Sequence, residues 1–102
     1  MIGNMEIIKQ KNGEELLIQL VGELNSVTAS SLEESLKGEY NGLKSLVFDF
    51  AKLDYLSSAG LRVLLVAHKM MKNGQMVIKN VNTQIMEIFT ITGFSNVLTI
   101  EN

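Results

Sequence analysis

The segment from Leu43 to Phe50 constrains this chain more than any other. Apolar side chains at Leu43, Leu46, Val47, Phe48 and Phe50 leave it no regular polar face. A strand with one side in water alternates apolar and polar residues, whereas a near-continuous apolar run belongs to a strand covered on both sides. The segment therefore reads as the central strand of a sheet, and the rest of the chain has to supply its neighbours and its cover.

Those neighbours are legible on either side. Met5 to Lys9 and Leu16 to Val21 read as strands joined through Asn12-Gly13, a dipeptide suited to tight hairpins, so the chain opens with an antiparallel pair. Ala29, Leu32, Leu36 and Tyr40 recur at helical spacing, after Asn25, Ser26 and Thr28, any of which can cap a helix, and the helix ends near Gly38. The central strand leads into a loop from Ala51 to Leu56. Ser57-Ser58-Ala59-Gly60 then opens a second helix that runs to Lys72, with Asn73-Gly74 expected as a left-handed C-terminal cap. This helix is apolar nearly all round, so one face is expected on the sheet and another against further protein. Met76 to Val81 is a further strand, Asn82 or Thr83 begins a third helix carrying Ile85, Ile88 and Phe89, Gly93 ends it, and Val97 to Ile100 is a last short strand. The order ββαβαβαβ implies an α/β domain with a mixed sheet and packed helices, since each strand-helix-strand step is a right-handed crossover between parallel strands.

Length and composition exclude several classes of function. The 102 residues suit one domain spanning 1–102, and the chain has no proline or Gly/Ser-rich stretch to mark a linker. A formal net charge of -2, with nine scattered basic residues, offers no footprint for nucleic acid. No apolar run approaches the 18 residues of a membrane span, Met1 to Glu6 lacks the form of a signal peptide, and the absence of cysteine fits a reducing compartment, so the cytoplasm is the expected location.

The same inventory narrows the chemistry. A lone His68 and no cysteine provide no histidine-assisted triad and no His/Cys metal site; His68 reads as a packed or half-exposed helix residue. Asp49 and Asp54 flank the end of the central strand, where α/β folds bind ligands, which raises a receiver-like phosphotransfer site with Asp49 as acceptor. Gly22-Glu23-Leu24-Asn25 supplies no acidic pair for a magnesium ion there, and loop or cap hydrogen bonding is the alternative for both aspartates. The richest segment is Ser57-Ser58-Ala59-Gly60-Leu61-Arg62, two hydroxyls at a helix N-terminus directly after a buried strand. Unpaired N–H groups and the helix dipole favour a phosphate there, and Arg62 lies one turn beyond Ser58 on the same face. Ser57 or Ser58 also suits a simple N-cap. Gly60, costly inside a first helical turn, implies a close approach to its backbone or tight internal packing.

Three segments in order resemble the STAS domain family: Gly22-Glu23-Leu24-Asn25 is similar to its Gly-Glu-Leu-Asp after the second strand, Ser57-Ser58-Ala59-Gly60-Leu61 to its Asp-Ser-Ser/Thr-Gly-Leu, and Thr92-Gly93-Phe94 to its Ser/Thr-Gly-Leu/Phe. Ser57 and Asn25 stand where the family carries aspartates, and both replacements remove a negative charge. For stand-alone members of the anti-sigma factor antagonist type, the resemblance implies partner switching. The unphosphorylated protein binds an anti-sigma factor that is also a serine kinase and so releases a sigma factor, and a PP2C-like phosphatase reverses the phosphorylation. Alignment on Gly60 makes Ser58 the acceptor, with Ser57 as the alternate. The implied binding face comprises Glu23, Asn25, Ser57, Ser58, Gly60 and Arg62. The chain would then be a substrate and ligand, not an enzyme, with no cofactor. The alternative within the family is a constitutive interaction module, such as a transport-complex subunit, without a phospho-switch.

Overall fold

The structure, a computed structural model, describes residues 4–101; 1–3, the start of the segment read above for targeting, and residue 102 lie outside them. The chain forms strands β1 (Met5–Asn12) and β2 (Glu15–Leu24), helix α1 (Thr28–Leu36), strand β3 (Ser45–Leu56), helix α2 (Ser58–Met70), strand β4 (Gln75–Lys79), helix α3 (Thr83–Thr92), a 3-10 turn (Phe94–Asn96) and strand β5 (Thr99–Glu101). The strands make one sheet in the order β1-β2-β3-β4-β5, antiparallel between β1 and β2 and parallel elsewhere. The mixed α/β sheet expected from the order of elements is thus observed.

Burial alternates along the strands. Leu16, Ile18 and Leu20 of β2 are buried, as are Leu46, Phe48 and Phe50 of β3, whereas Leu17, Gln19 and Val21, and Val47 and Asp49, are partly exposed. Three successive right-handed crossovers in one direction along a sheet place every helix on the same side. The core accordingly lies on that side, with Leu32 and Leu36 of α1, Leu64 and Ala67 of α2 and Ile85 and Phe89 of α3 under 3% exposed. The rings of Phe48 and Phe50 meet edge to face at 6.2 Å. The central strand is therefore covered on one side only, and Val47 interrupts its alternation without a second layer above it.

Several boundaries differ from expectation for local reasons. The hairpin turn sits one residue later than Asn12-Gly13: Asn12 pairs with Glu15, and Gly13 takes the left-handed φ of 64°. The expected loop from Ala51 to Leu56 is strand. Its pairing with β2 shifts register between Gln19 and Val21 and again between Gly22 and Glu23, so buried residues fall at Phe50, Leu53 and Leu56, three apart instead of two. Asp49 Oδ1 accepts the Ala51 N–H (2.9 Å), satisfying a donor at the irregularity. Helix α1 stops at Leu36, short of Gly38, and Tyr40 packs against the core from outside the helix. Gly74 is not a left-handed cap; a Cβ there would lie 2.5 Å from the Lys44 carbonyl oxygen, where Gln75 N–H hydrogen-bonds, so the glycine admits a close backbone crossing. Strand β4 ends at Lys79 because Asn80 turns to a φ of 61°, a region asparagine tolerates. At α3 the expectation holds: Asn82 Oδ1 accepts from Ile85 N–H (2.8 Å) and Gly93, φ 81°, donates to the Thr90 carbonyl.

Candidate functional site

The two segments singled out near Asn25 and Ser58 meet at one end of the sheet. Strands β2 and β3 run parallel and finish side by side, with Glu23 opposite Tyr55 and Leu24 opposite Leu56. Ser57 N–H donates to the Leu24 carbonyl at 2.8 Å, which ties the start of α2 to the end of β2. Each residue of Gly22-Glu23-Leu24-Asn25 has a separate task in this junction. Gly22, with φ 109°, leaves room for the Asn4 carbonyl, which accepts the Glu23 N–H at 3.0 Å. The side chain of Leu24 is fully buried beneath Gly60. Asn25 Oδ1 accepts from Val27 N–H (3.0 Å) and Thr28 N–H (2.9 Å), and Thr28 Oγ1 donates to the Glu23 carbonyl (2.7 Å). An aspartate would accept the same bonds, so Asn25 keeps the turn while removing its charge.

At the other segment the two serines have different surroundings. Ser57 is the N-cap of α2: its backbone is extended and its Oγ accepts the Gly60 N–H at 3.1 Å. Ser58 is the first helical residue, exposed, and its hydroxyl bonds to no described residue. The backbone N–H groups of Ser58 and Ala59 also have no partner among the described residues, so a phosphate on Ser58 would find donors and the positive end of a 13-residue helix. Arg62, exposed one turn further along, makes no ion pair among the described residues. Of the two openings offered for Gly60, packing is the one observed. A Cβ there would meet Leu24 Cγ at 2.7 Å and Leu56 Cδ1 at 2.9 Å, and Gly60 is itself buried.

The remaining candidates lie apart from this junction. Asp49 points away from the core and is held by Asn80 Nδ2 (3.0 Å), Ala51 N–H and Gln19 Nε2 (3.3 Å). Those bonds, Asn80 first and then Ala51, lower its carboxyl from the ordinary value against an opposing desolvation. Asp54 is exposed, and no cluster of three or more His, Cys, Asp or Glu among the described residues is placed to hold a metal. The receiver-like arrangement is not assembled, because the oxygens of Asp49 are taken by the turn and strand around it. His68 is half-buried on α2 and belongs to no cluster of three or more His, Cys, Asp or Glu among the described residues. Thr92-Gly93-Phe94 closes α3, with Phe94 against the core, and acts in folding. The sequence marks Thr28 as a cap candidate but not its bond to the Glu23 carbonyl, and it gives no sign of the places of Leu56 and of the exposed Val27 and Tyr55 at this junction. Only Thr28, as a helix-start hydroxyl, carried a local signal.

No described helix is long and apolar enough to cross a membrane. The STAS domain model matches residues 6–102. The chain is 34% identical to the candidate anti-sigma factor antagonist BtrV of Bordetella bronchiseptica, over 96% of this chain and 87% of that one. Its fold is similar to the crystal structure of an anti-sigma factor antagonist from Mycobacterium paratuberculosis, with a TM-score of 0.86 at 18% identity over 95% of this chain and 85% of that one. It is also similar to the Bacillus cell fate determinant SpoIIAA in its phosphorylated form, with a TM-score of 0.74 at 14% identity over 97% and 92% of the two chains. With both sequence motifs interlocked at the end of the parallel strands and the family model spanning all but five residues, the chain belongs to the STAS domain family.

Proposed function

We propose that this chain is a cytoplasmic anti-sigma factor antagonist that works by phospho-dependent partner switching. In its unphosphorylated form it binds an anti-sigma factor that is also a serine kinase, and phosphorylation of Ser58 ends that binding until a PP2C-like phosphatase removes the phosphate. The observation that carries the reading is the exposed hydroxyl of Ser58 at the first position of α2, which, like the neighbouring Ser58 and Ala59 N–H groups and the Arg62 guanidinium, has no partner among the described residues. Ser57 is the poorer acceptor because its side chain is partly buried and is held in place as the N-cap by the Gly60 N–H, whereas Ser58 is exposed. Glu23, Asn25, Ser57, Gly60 and Arg62 surround Ser58 as the partner-binding face, with Gly60 contributing through the packing beneath it.

The switch is local. A phosphate adds about -1.5 to -2 charges, and a helix N-terminus favours negative charge by roughly 0.3–1 kcal/mol, so the fold tolerates the modification. A partner that buries the same spot bears a desolvation cost of several kcal/mol per ion, where about 1.4 kcal/mol is tenfold in affinity. The test is to incubate the protein with ATP and each purified serine-kinase anti-sigma factor of its source organism and to map phosphate by mass spectrometry between Tyr55 and Arg62. One phosphate on Ser58, absent from Ser58→Ala, is the expected result. No phosphorylation by any of them would leave a constitutive binding module, and phosphate on Ser57 would move the switch by one residue.

A further inference from the structure

Helix α2 exposes more than the serine. At four-residue steps from Ser58 it presents Arg62, Val66 and Met70, an inclined ridge that turns about 40° per step and in which Val66 is 41% exposed and Met70 54%. Each step advances about 6 Å along the helix, so the ridge runs roughly 18 Å from the serine to Met70. At its far end it forms one wall of a groove of about 290 Å³ between α1 and α2. Tyr40, Val63, Val66 and Met70 line this groove with hydrocarbon, and Glu33 and Lys37 stand at its edge. Its size is at the lower limit for a small-molecule cleft, about 300–1,000 Å³, and it has no set of converging polar groups to orient a metabolite. Apolar side chains from another protein suit it better.

We infer that the anti-sigma factor seats an apolar segment in this groove while presenting an acidic group to Arg62, so that α2 carries an apolar anchor separate from its phosphorylated end. The inference rests on the partner-switching reading above. Two observations commit the groove to that partner. Interface size is the first: about 800 Å² per partner is a standard contact, and a disc of that area is roughly 30 Å across, so a protein centred on Ser58 or Arg62 extends over Val66. Continuity is the second, since the switch residue, a cation with no ion pair among the described residues and the apolar groove follow one another along one ridge of the helix, which winds about 120° around it from Ser58 to Met70. Apolar anchors set in a pocket typically dominate the affinity of such an interface. The anchor lies beyond the reach of direct contact with a phosphate on Ser58, so the groove contributes equally to capture before phosphorylation and to recognition by the kinase.

Titration calorimetry with the serine-kinase anti-sigma factor that phosphorylates the wild-type protein tests this. Met70→Glu is expected to weaken binding by about a hundredfold, since it places a charge in an apolar contact, and the pair Val66→Ala with Met70→Ala by about tenfold. The paired truncation should raise the kinase's KM for this protein and leave kcat unchanged, because the anchor is remote from the reacting hydroxyl. Gln84→Glu, on exposed α3, adds the same charge as Met70→Glu and should bind like wild type. All variants should melt within a few degrees of wild type. Wild-type affinity in both groove variants, alongside weak binding by Ser58→Asp, would overturn the anchor and leave the switch standing. Failure of the wild-type protein to bind any such kinase would remove both. Concentration-dependent dimerisation in sedimentation, abolished by Met70→Glu, would assign the groove to a second copy of this chain and likewise overturn the proposal.

Discussion

Replacing Gly60 with alanine separates two forces that act in opposite directions. Inside a helix alanine is favoured over glycine by up to about 1 kcal/mol, so an uncrowded position would be stabilised. This one is crowded: the new Cβ falls 2.7 Å from Leu24 Cγ, 2.9 Å from Leu56 Cδ1 and 3.0 Å from Leu24 Cδ2. Leu24 is fully buried and Leu56 only 3% exposed, and the nearest atom is a branch point with little freedom to swing aside. Overpacking of this kind costs about 1–3 kcal/mol, which exceeds the helix gain and leaves a net loss of about 1 kcal/mol. For a chain of this length that corresponds to a fall in Tm of roughly 4–8 °C, readable by thermal or urea denaturation followed by circular dichroism. Leu24→Ala removes the obstructing atoms. In the Gly60→Ala background it should cost about 1 kcal/mol less than in wild type, a coupling that distant, independent sites do not show. A more stable Gly60→Ala protein with weakened partner binding would refute the packing argument and restore the reading in which a partner approaches this backbone.

Other outcomes follow from the same geometry. Asn25→Ala should lose about 1 kcal/mol of stability by urea denaturation, because the Val27 and Thr28 N–H groups lose their acceptor, while Asn25→Asp should fold at least as well as wild type at pH 7. Asp49 has its carboxyl lowered by Asn80, Ala51 and Gln19, so its ionised form contributes stability above the unfolded value near 3.8 that is lost as pH falls through the folded one. Asp49→Asn should therefore lower Tm at pH 7, and the gap from wild type should narrow below pH 4. Tyr40 is pushed up to about 12 by burial, with Glu33 adding to the effect. Stability should then fall between about pH 10 and 12, where the unfolded phenol ionises and the folded one does not, and Tyr40→Phe should flatten that decline in alkaline melts.

What the sequence made legible was mostly local. Asn82 and Gly93 bound α3 because a cap acts on its own neighbours, and Ser57-Ser58 marked the start of α2 for the same reason. The extension of β3 was hidden because its register shifts against β2 replaced alternate burial with a three-residue spacing at Phe50, Leu53 and Leu56, which resembles a loop. Val47 misled in the opposite sense, since an apolar residue on the bare side of a sheet looks like one beneath a second layer. Gly74 and Gly60 both admit close packing from residues distant in the chain, Lys44 in one case and Leu24 in the other, and nothing in their neighbouring residues shows it. The division of labour between Ser57 and Ser58 likewise needed the fold, because only the position of the Gly60 N–H makes one serine the cap and the other the first helical residue.

Partner switching is tested most directly by comparing unmodified protein with protein phosphorylated uniformly at Ser58, each titrated into the same anti-sigma factor with thermal stability measured in parallel. The account predicts affinity at least about a hundredfold lower for the phosphorylated form and a nearly unchanged Tm, since the helix N-terminus accepts the charge that the interface rejects. Equal affinities, or a loss of binding that follows unfolding of the phosphorylated protein, would contradict it.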